Sequence, residues 1–185
     1  MDALTLASSC GPGVDPVTTA AIMKLESGYE PLVIRDNTLK LTIHPKSAEI
    51  ASATVRELLG RRHRLAIGLM QVTTPWTDRL NVHPSVLLDA CTNVRIGTWI
   101  LRTAYEACPR SRDGKAALEC ALSAYWAGDG RIGGAYVNAI YAASKSPFRI
   151  PETVGVTDGL LGSAKPQAVP RVMTGPAGGF DFRRR

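Results

Sequence analysis

Apolar residues recur at helical spacing over most of the chain before Pro147, so the pattern predicts a mainly α-helical protein. The clearest helix covers residues 15–30, with Asp15 as its N-cap and Pro16 as its first helical residue. Its apolar stripe, which should be buried, consists of Ala20, Ala21, Ile22, Met23 and Leu25. Further helical segments are predicted at 46–59, from 75, from 84, and at 91–107, 116–126 and 134–144.

One segment departs from the helical pattern. Residues 31–44 alternate apolar and polar positions around Asp36 and Asn37, which predicts an irregular extended stretch or a small hairpin and gives the only strand candidate. Residues 66–72, AIGLMQV, form an apolar run that ends on polar residues. Beyond Pro147 the chain is rich in Pro and Gly without periodicity. We therefore predict one folded domain over residues 1–148 and a flexible tail over residues 149–185.

Composition narrows the class of protein. With 185 residues and 45% hydrophobic content the chain can bury one good core. Its net charge of +6 suits an acidic partner such as nucleic acid, an anionic membrane surface or an acidic cell-wall polymer, and charge alone does not choose among them. No apolar stretch of about 18 residues occurs, so no membrane span is predicted. The first ten residues lack a basic region and a continuous apolar region, so no secretory signal is visible.

Four cysteines allow three disulfide pairings. Their positions suggest that Cys108 pairs with Cys120 across a predicted turn at 109–114, and that Cys10 pairs with Cys91. The residues alone leave the connectivity open, and four reduced cysteines in a cytosolic protein remain an equal alternative. The chain has no CxxC or HxxxH spacing, and its three histidines are scattered, so neither a metal site nor a cofactor is predicted.

The candidate catalytic group is Glu26, in the last turn of the first helix and followed at once by Ser27 and Gly28. The partial negative charge at a helix C-terminus disfavours an ionised carboxylate, and burial has the same effect. We therefore expect Glu26 to be able to act as a general acid. The neighbouring acids Glu30 and Asp36 are expected to be exposed loop charges.

Motifs in a fixed order support this choice. They are ESGYEP at 26–31, GLMQV at 68–72, NVRIGTWIL at 93–101, and AYWAGDG at 124–130 followed by AYVNAI at 135–140. Together they resemble the lytic transglycosylase superfamily of lysozyme-like folds, and most of all its branch associated with type IV secretion and conjugation systems. In that branch a Cys-x-Pro segment precedes the catalytic helix, as Cys10 and Pro12 do here. A second Cys lies in an Asp-x-Cys-x-Asn stretch, which Asp89, Cys91 and Asn93 match.

The resemblance implies a lysozyme-like helical domain in which Glu26 is the sole acid/base. The expected reaction is cleavage of the β-1,4 bond between N-acetylmuramic acid and N-acetylglucosamine in peptidoglycan, with a 1,6-anhydro product and no cofactor. The implied role is local opening of the cell wall for a type IV secretion or conjugation apparatus, in the periplasm or cell-wall space, where disulfides are formed. The C-terminal tail is a candidate contact for proteins of that apparatus.

The resemblance also assigns supporting residues. Ser27 matches the serine beside the catalytic acid, and Gln71 matches a residue that bonds the glycan or the supporting backbone. Met70 is implied to line a sugar subsite, although it could equally fill the core. The tyrosine that orients the acid or the acetamido group corresponds to Tyr125, and the one that closes the site corresponds to Tyr136. Trp126 stands where the family usually has Asn, and its indole could stack on a sugar ring instead.

Three alternatives remain. A hydrolytic muramidase would use the same fold and the same Glu26. A non-catalytic wall-binding scaffold would keep the fold without turnover. A DNA-binding helical module fits the basic charge, but no predicted helix carries a concentrated Lys/Arg face, so no nucleic-acid partner is predicted.

Overall fold

The structure, a computed structural model, describes residues 2–109 and 114–145. These residues form a mainly helical domain with one small antiparallel sheet, which confirms the predicted fold class. Most of the predicted turn at 109–114 and the whole predicted tail at 149–185 lie outside the described residues. The division of the chain at residue 148 therefore stays a prediction.

The helices follow the predicted segments, with one addition at the N-terminus. In chain order they are α1 (Ala3–Cys10), α2 (Pro16–Ser27), α3 (Ala48–Gly60), α4 (Thr74–Leu80), α5 (Ala90–Ala107), α6 (Gly114–Ala127) and α7 (Gly134–Ser144), with a short 3-10 helix (Pro84–Leu88) before α5. No element was predicted for α1. It begins because the Asp2 side chain accepts hydrogen bonds from the backbone N–H groups of Leu4 and Thr5.

Helix α2 places the candidate acid in its last turn. Its N-cap is Asp15, whose side chain accepts a hydrogen bond from the Thr18 N–H at 2.9 Å. The helix ends before Gly28, whose N–H donates to the carbonyl of Lys24 at 3.0 Å. It therefore ends earlier than the predicted residue 30, and Glu26 lies one residue before the last helical position.

The sheet is larger than the sequence indicated. Its strands are β1 (Ile34–Asp36), β2 (Leu41–Ile43), β3 (Leu65–Ile67) and β4 (Val72–Thr73), arranged in the order β2-β1-β3-β4 with antiparallel neighbours. The prediction that residues 31–44 contain the only strands was wrong. The apolar run at 66–72 is part of a second hairpin, whose strands of three and two residues are too short to show a period-2 pattern.

Asp36 contradicts the expectation of an exposed loop charge, because its side chain is buried. One carboxylate oxygen accepts hydrogen bonds from the Thr38 and Leu39 N–H groups, and the other lies 2.7 Å from Nδ1 of His63. Burial by itself would raise the pKa of Asp36, but the hydrogen bonds from His63 and the backbone outweigh it, and the pKa lies below its usual value. Asp36 is thus a structural anchor of the turn between β1 and β2.

Helix α5 contacts helices, the 3-10 helix and strand β4. It packs against α1 and α6, while α2 packs against α1 and α7, and α6 packs against α7. Helix α2 is therefore packed between α1 and α7.

Both suggested disulfides are present. Cys10 is bonded to Cys91, which joins the end of α1 to the start of α5, and Cys108 is bonded to Cys120, which joins the end of α5 to α6. The described residues contain no free cysteine. Helix α5 is thus crosslinked at both ends.

Removal of one disulfide or the other should lower the free energy of unfolding by unequal amounts. Their sequence separations are 81 and 12 residues. The chain-entropy model gives about 4.5 kcal/mol for the longer loop and about 3 kcal/mol for the shorter one. In urea unfolding, the double variant C10S/C91S should therefore lose more free energy of unfolding than C108S/C120S. Equal losses, or the reverse order, would contradict a loop-entropy origin.

Candidate active site

The Glu26 side chain lies in a mostly enclosed position, about one tenth exposed to solvent. Its Oε1 accepts a hydrogen bond from the Tyr136 hydroxyl of α7 at 2.8 Å. Its Oε2 lies 4.0 Å from a guanidinium nitrogen of Arg35, on β1. The carboxyl group is therefore held between a helix and the sheet.

Two tyrosines remain neutral hydrogen-bond donors at this site. Burial raises the pKa of the Tyr136 hydroxyl far above its usual range, and the negative charge of Glu26 raises it further. The pKa of Tyr125 is raised well above its usual value for the same two reasons, although the residue as a whole is only partly buried. Neither hydroxyl loses its proton at physiological pH, so the hydrogen bond from Tyr136 to Glu26 persists.

The turn between β3 and β4, residues 68–71, is fixed by one buried amide. The side chain of Asn93, on α5, donates from Nδ2 to the carbonyls of Ile67 at 2.7 Å and Leu87 at 2.9 Å. Its Oδ1 accepts from the Met70 N–H at 2.8 Å. Asn93 is fully buried, and both amide hydrogens and the carbonyl oxygen are used.

Two glycines permit this arrangement. Gly68 has a φ of +76°, and a Cβ added there would lie 2.3 Å from Nδ2 of Asn93. A Cβ at Gly97, on α5, would lie 2.5 Å from Sδ of Met70. The glycines of the GLMQV and NVRIGTWIL motifs thus let the turn approach α5 closely.

Hydroxyl groups connect the same turn to two other helices. Oγ of Ser27, next to Glu26 on α2, lies 2.9 Å from the carbonyl of Leu69 and 2.9 Å from that of Met23. The Tyr125 hydroxyl, on α6, donates to the carbonyl of Met70 at 2.7 Å. The ends of α2 and α6 are therefore hydrogen-bonded to the turn that Asn93 holds.

The remaining residues assigned to the GLMQV turn also face inward. Nε2 of Gln71 donates to the carbonyls of Gly68 at 2.9 Å and Val33 at 3.4 Å, which is the backbone-supporting arrangement. The Met70 side chain is fully buried and packs on Gly97, in agreement with the core-filling alternative. A glycan contact by these residues stays a prediction.

An aromatic pair lies beside the acid. The rings of Trp126 and Tyr136 are stacked, with centroids 5.8 Å apart and planes 16° from parallel. The indole of Trp126 is 49% exposed, whereas Tyr136 is buried. The structure thus brings Trp126, Tyr136 and Glu26 together in a row from solvent to the carboxyl group.

Two residues of the site were missed by sequence reasoning. Asn93 was noted only as part of a motif, and its buried amide role requires knowing that β3 and the 3-10 helix both pass α5. Arg35 carried no signal of its own, because only the packing of β1 against the end of α2 reveals its approach to Glu26.

Within residues 2–109 and 114–145, no helix is long and apolar enough to cross a membrane. The same residues contain no group of three or more His, Cys, Asp or Glu side chains arranged to hold a metal ion.

Comparison with known proteins identifies a family and several relatives that this chain resembles. Residues 4–145 match the family model described as the transglycosylase SLT domain. The chain is 35% identical over 143 residues to protein virB1 of Rhizobium radiobacter, which covers 76% of this chain and 60% of that protein. It is 34% identical over 141 residues to protein virB1 of Agrobacterium fabrum strain C58, covering 75% and 58% of the two chains.

A further relative is the type IV secretion system protein virB1 of Brucella abortus, 31% identical over 128 residues, or 68% of this chain and 54% of that protein. The chain thus matches a little over half the length of these curated relatives. No solved structure gives a significant match.

Replacement of Asn93 by Ala should strongly destabilise the domain. The change leaves the Met70 N–H and the Ile67 and Leu87 carbonyls without their buried partner. Since each unsatisfied buried group costs about 1–3 kcal/mol, the free energy of unfolding in urea should fall by about 3 kcal/mol or more. The matched control is N138A, at an exposed position of α7, which should change stability by less than about 0.5 kcal/mol. Similar small losses for both variants would contradict the role of Asn93.

Proposed function

Since the chain belongs to the transglycosylase SLT domain family, we propose that it is a lytic transglycosylase that cleaves peptidoglycan with Glu26 as its acid/base. The substrate bond is the β-1,4 linkage between N-acetylmuramic acid and N-acetylglucosamine. The observation that carries the proposal is the enclosed Glu26 carboxyl group, hydrogen-bonded to Tyr136 beside the motif turn at 68–71.

The first step requires Glu26 in its protonated form. Glu26 donates its proton to the glycosidic oxygen while the bond from that oxygen to C1 of N-acetylmuramic acid breaks. The leaving sugar departs with a hydroxyl group, and positive charge develops at C1. Enclosure of the side chain and its position at the C-terminal end of α2 both favour the protonated form.

The second step requires Glu26 as a carboxylate. The C6 hydroxyl oxygen of the same N-acetylmuramic acid attacks C1, and its proton passes to Glu26, which closes the 1,6-anhydro ring and restores the acid. Tyr136 supports this form because its neutral hydroxyl donates a hydrogen bond to Oε1. One carboxyl group thus serves both steps.

A second catalytic carboxylate is not required. The two acids that follow Glu26 most closely in the chain have structural partners, since Glu30 pairs with His44 and the buried Asp36 pairs with His63. Ring closure needs no activated water, whereas hydrolysis usually employs a second carboxylate. The 2-acetamido group of the substrate can stabilise the charge at C1 between the two steps.

Trp126 is proposed as a sugar-stacking surface. Its half-exposed indole can cover the CH face of a pyranose ring, and its stack on Tyr136 holds it next to the acid. This platform replaces the hydrogen bonds of the Asn that the family usually has at this position. Substrate contacts by Ser27, Gln71, Tyr125 and Tyr136 complete the proposed set, with Met70 supporting it from the core.

The names of the relatives suggest a setting for the reaction. One relative is named a type IV secretion system protein. We propose that this chain serves a type IV secretion or conjugation apparatus by opening the cell wall locally. The site of action would be the periplasm or cell-wall space, which agrees with two formed disulfides. A net charge of +6 favours binding to an acidic wall polymer.

Replacement of Glu26 by Gln should abolish release of muropeptides from purified peptidoglycan, because Gln can neither donate nor accept the transferred proton. The loss should be at least about a hundredfold. The measurement is chromatography with mass spectrometry of the soluble products, which should be 1,6-anhydro species for the wild type. E57Q is the matched control, since Glu57 lies exposed on α3 in an ion pair with Arg61, and it should keep full activity.

The same assay separates the alternatives. Products with only reducing ends would identify a hydrolytic muramidase. Equal inactivity of the wild type and E26Q, together with retained pelleting on peptidoglycan, would identify a wall-binding scaffold.

Removal of the Trp126 side chain should weaken glycan binding without unfolding the domain, because the indole is half exposed. In an E26Q background, W126A should bind insoluble peptidoglycan roughly tenfold more weakly in a pelleting assay, in line with the loss of one stacking contact. Y105A removes another exposed aromatic side chain, on α5, and should leave binding unchanged. Equal binding by W126A and its parent would exclude a stacking role.

A further inference from the structure

Arg35 is a charged residue next to the proposed acid for which the sequence motifs supply no role. It lies on β1, where its backbone pairs with Thr42 on one side and Ala66 on the other. One guanidinium nitrogen is 4.0 Å from Oε2 of Glu26, and the other lies 3.4 Å from the backbone carbonyl of Glu26. Arg35 therefore contacts both the side chain and the main chain of this one residue.

The groups around Glu26 differ in charge. Tyr136 and Tyr125, from α7 and α6, remain neutral, because burial and the charge of Glu26 both raise the pKa of their hydroxyls. The C-terminal end of α2 contributes a partial negative charge, and Lys24 in the last turn is one cation of that helix. Arg35 brings a full positive charge from the sheet, and a guanidinium does not lose its proton at any relevant pH.

We propose that Arg35 is a positioning residue that holds the Glu26 carboxyl group toward the sheet and sets the pH at which Glu26 releases its proton. The inference rests on the proposed function of Glu26 and deepens it. Arg35 favours the carboxylate, which opposes the effects of enclosure and of the end of α2. Each catalytic step needs a different protonation state, so the balance of these effects decides how fast both steps can run.

The contact between Arg35 and Glu26 should shift the titration of Glu26 only moderately. The side chain of Arg35 is 44% exposed, so water screens its charge, and the distance of 4.0 Å is longer than a hydrogen bond. A shift of about half a unit to one unit in the titration midpoint of Glu26 is therefore expected on removal of the charge. Loss of the cation disfavours the carboxylate, so the midpoint should rise.

The first test is an NMR titration that does not depend on activity. In protein labelled with carboxyl ¹³C-glutamate, the Glu26 resonance is assigned by its absence in E26Q. Its midpoint should rise by about half a unit to one unit in R35M, and R35K should restore a value near that of the wild type because it keeps the charge. R61M removes an exposed arginine that pairs with Glu57 on α3, and it should leave the Glu26 midpoint unchanged.

The second test is the pH profile of muropeptide release. The limb on which activity is lost at high pH should move upward in R35M by the same amount as the NMR midpoint, because a protonated Glu26 then persists to higher pH. R35K and R61M should keep the profile of the wild type. R35Q, which keeps polar N–H donors without the charge, should follow R35M.

The outcomes separate this inference from the proposed function. A wild type that releases no muropeptides at any pH would refute the proposed function, and the NMR titration would still decide the role of Arg35. Superimposed Glu26 titration curves for the wild type, R35M and R35Q would overturn the role of Arg35 even if the enzyme is active. A loss of activity in R35M without any shift of the pH profile or of the Glu26 titration midpoint would assign Arg35 to packing or substrate binding instead.

Discussion

The site depends on one buried side-chain amide. Asn93 supplies a partner to the N–H of Met70, in the turn at 68–71, and to the carbonyls of Ile67 in β3 and Leu87 in the 3-10 helix. This fixes the hairpin β3-β4 on α5. The turn then presents its remaining carbonyls outward, toward Ser27 of α2 and Tyr125 of α6. Without Asn93, two helices would lose the common surface on which Glu26 is positioned.

Most of the motif residues support the backbone of the turn at 68–71. Ser27, Gln71 and Tyr125 each donate a hydrogen bond to a backbone carbonyl of the turn, and Met70 fills the space beside Gly97. Ser27 and Tyr125 are 98 residues apart in the sequence, yet both hydroxyl groups bond to the turn at 68–71. Within residues 2–109 and 114–145, Tyr136 donates a hydrogen bond to the carboxyl group, Arg35 lies beside it, and Trp126 stacks on Tyr136. The motif residues at 68–71 therefore support the backbone of the site, while Tyr136 and Arg35 contact the carboxyl group of Glu26.

The features that could be predicted from the sequence are those that depend on neighbouring residues in the chain. Asp15 and Pro16 marked the start of α2, the helical period located α3 and α5–α7, and the spacing of the cysteines suggested both disulfides. The second hairpin was missed because β3 and β4 contain three and two residues, too few for a visible alternation. The buried state of Asp36 and the approach of Arg35 to Glu26 were missed because their partners come from other elements. His63 follows Asp36 by 27 residues, and nothing local predicts the meeting.

The crosslinks of α5 have a consequence for when the molecule is fully stable. Cys91 lies at the start of this helix and Cys108 at its end, so the element that carries Asn93 is tied covalently to α1 on one side and to α6 on the other. A freshly synthesised chain in a reducing compartment lacks both ties, and its unfolded state keeps all the freedom that they would remove. The folded frame around Glu26 therefore gains this part of its stability only where thiols are oxidised.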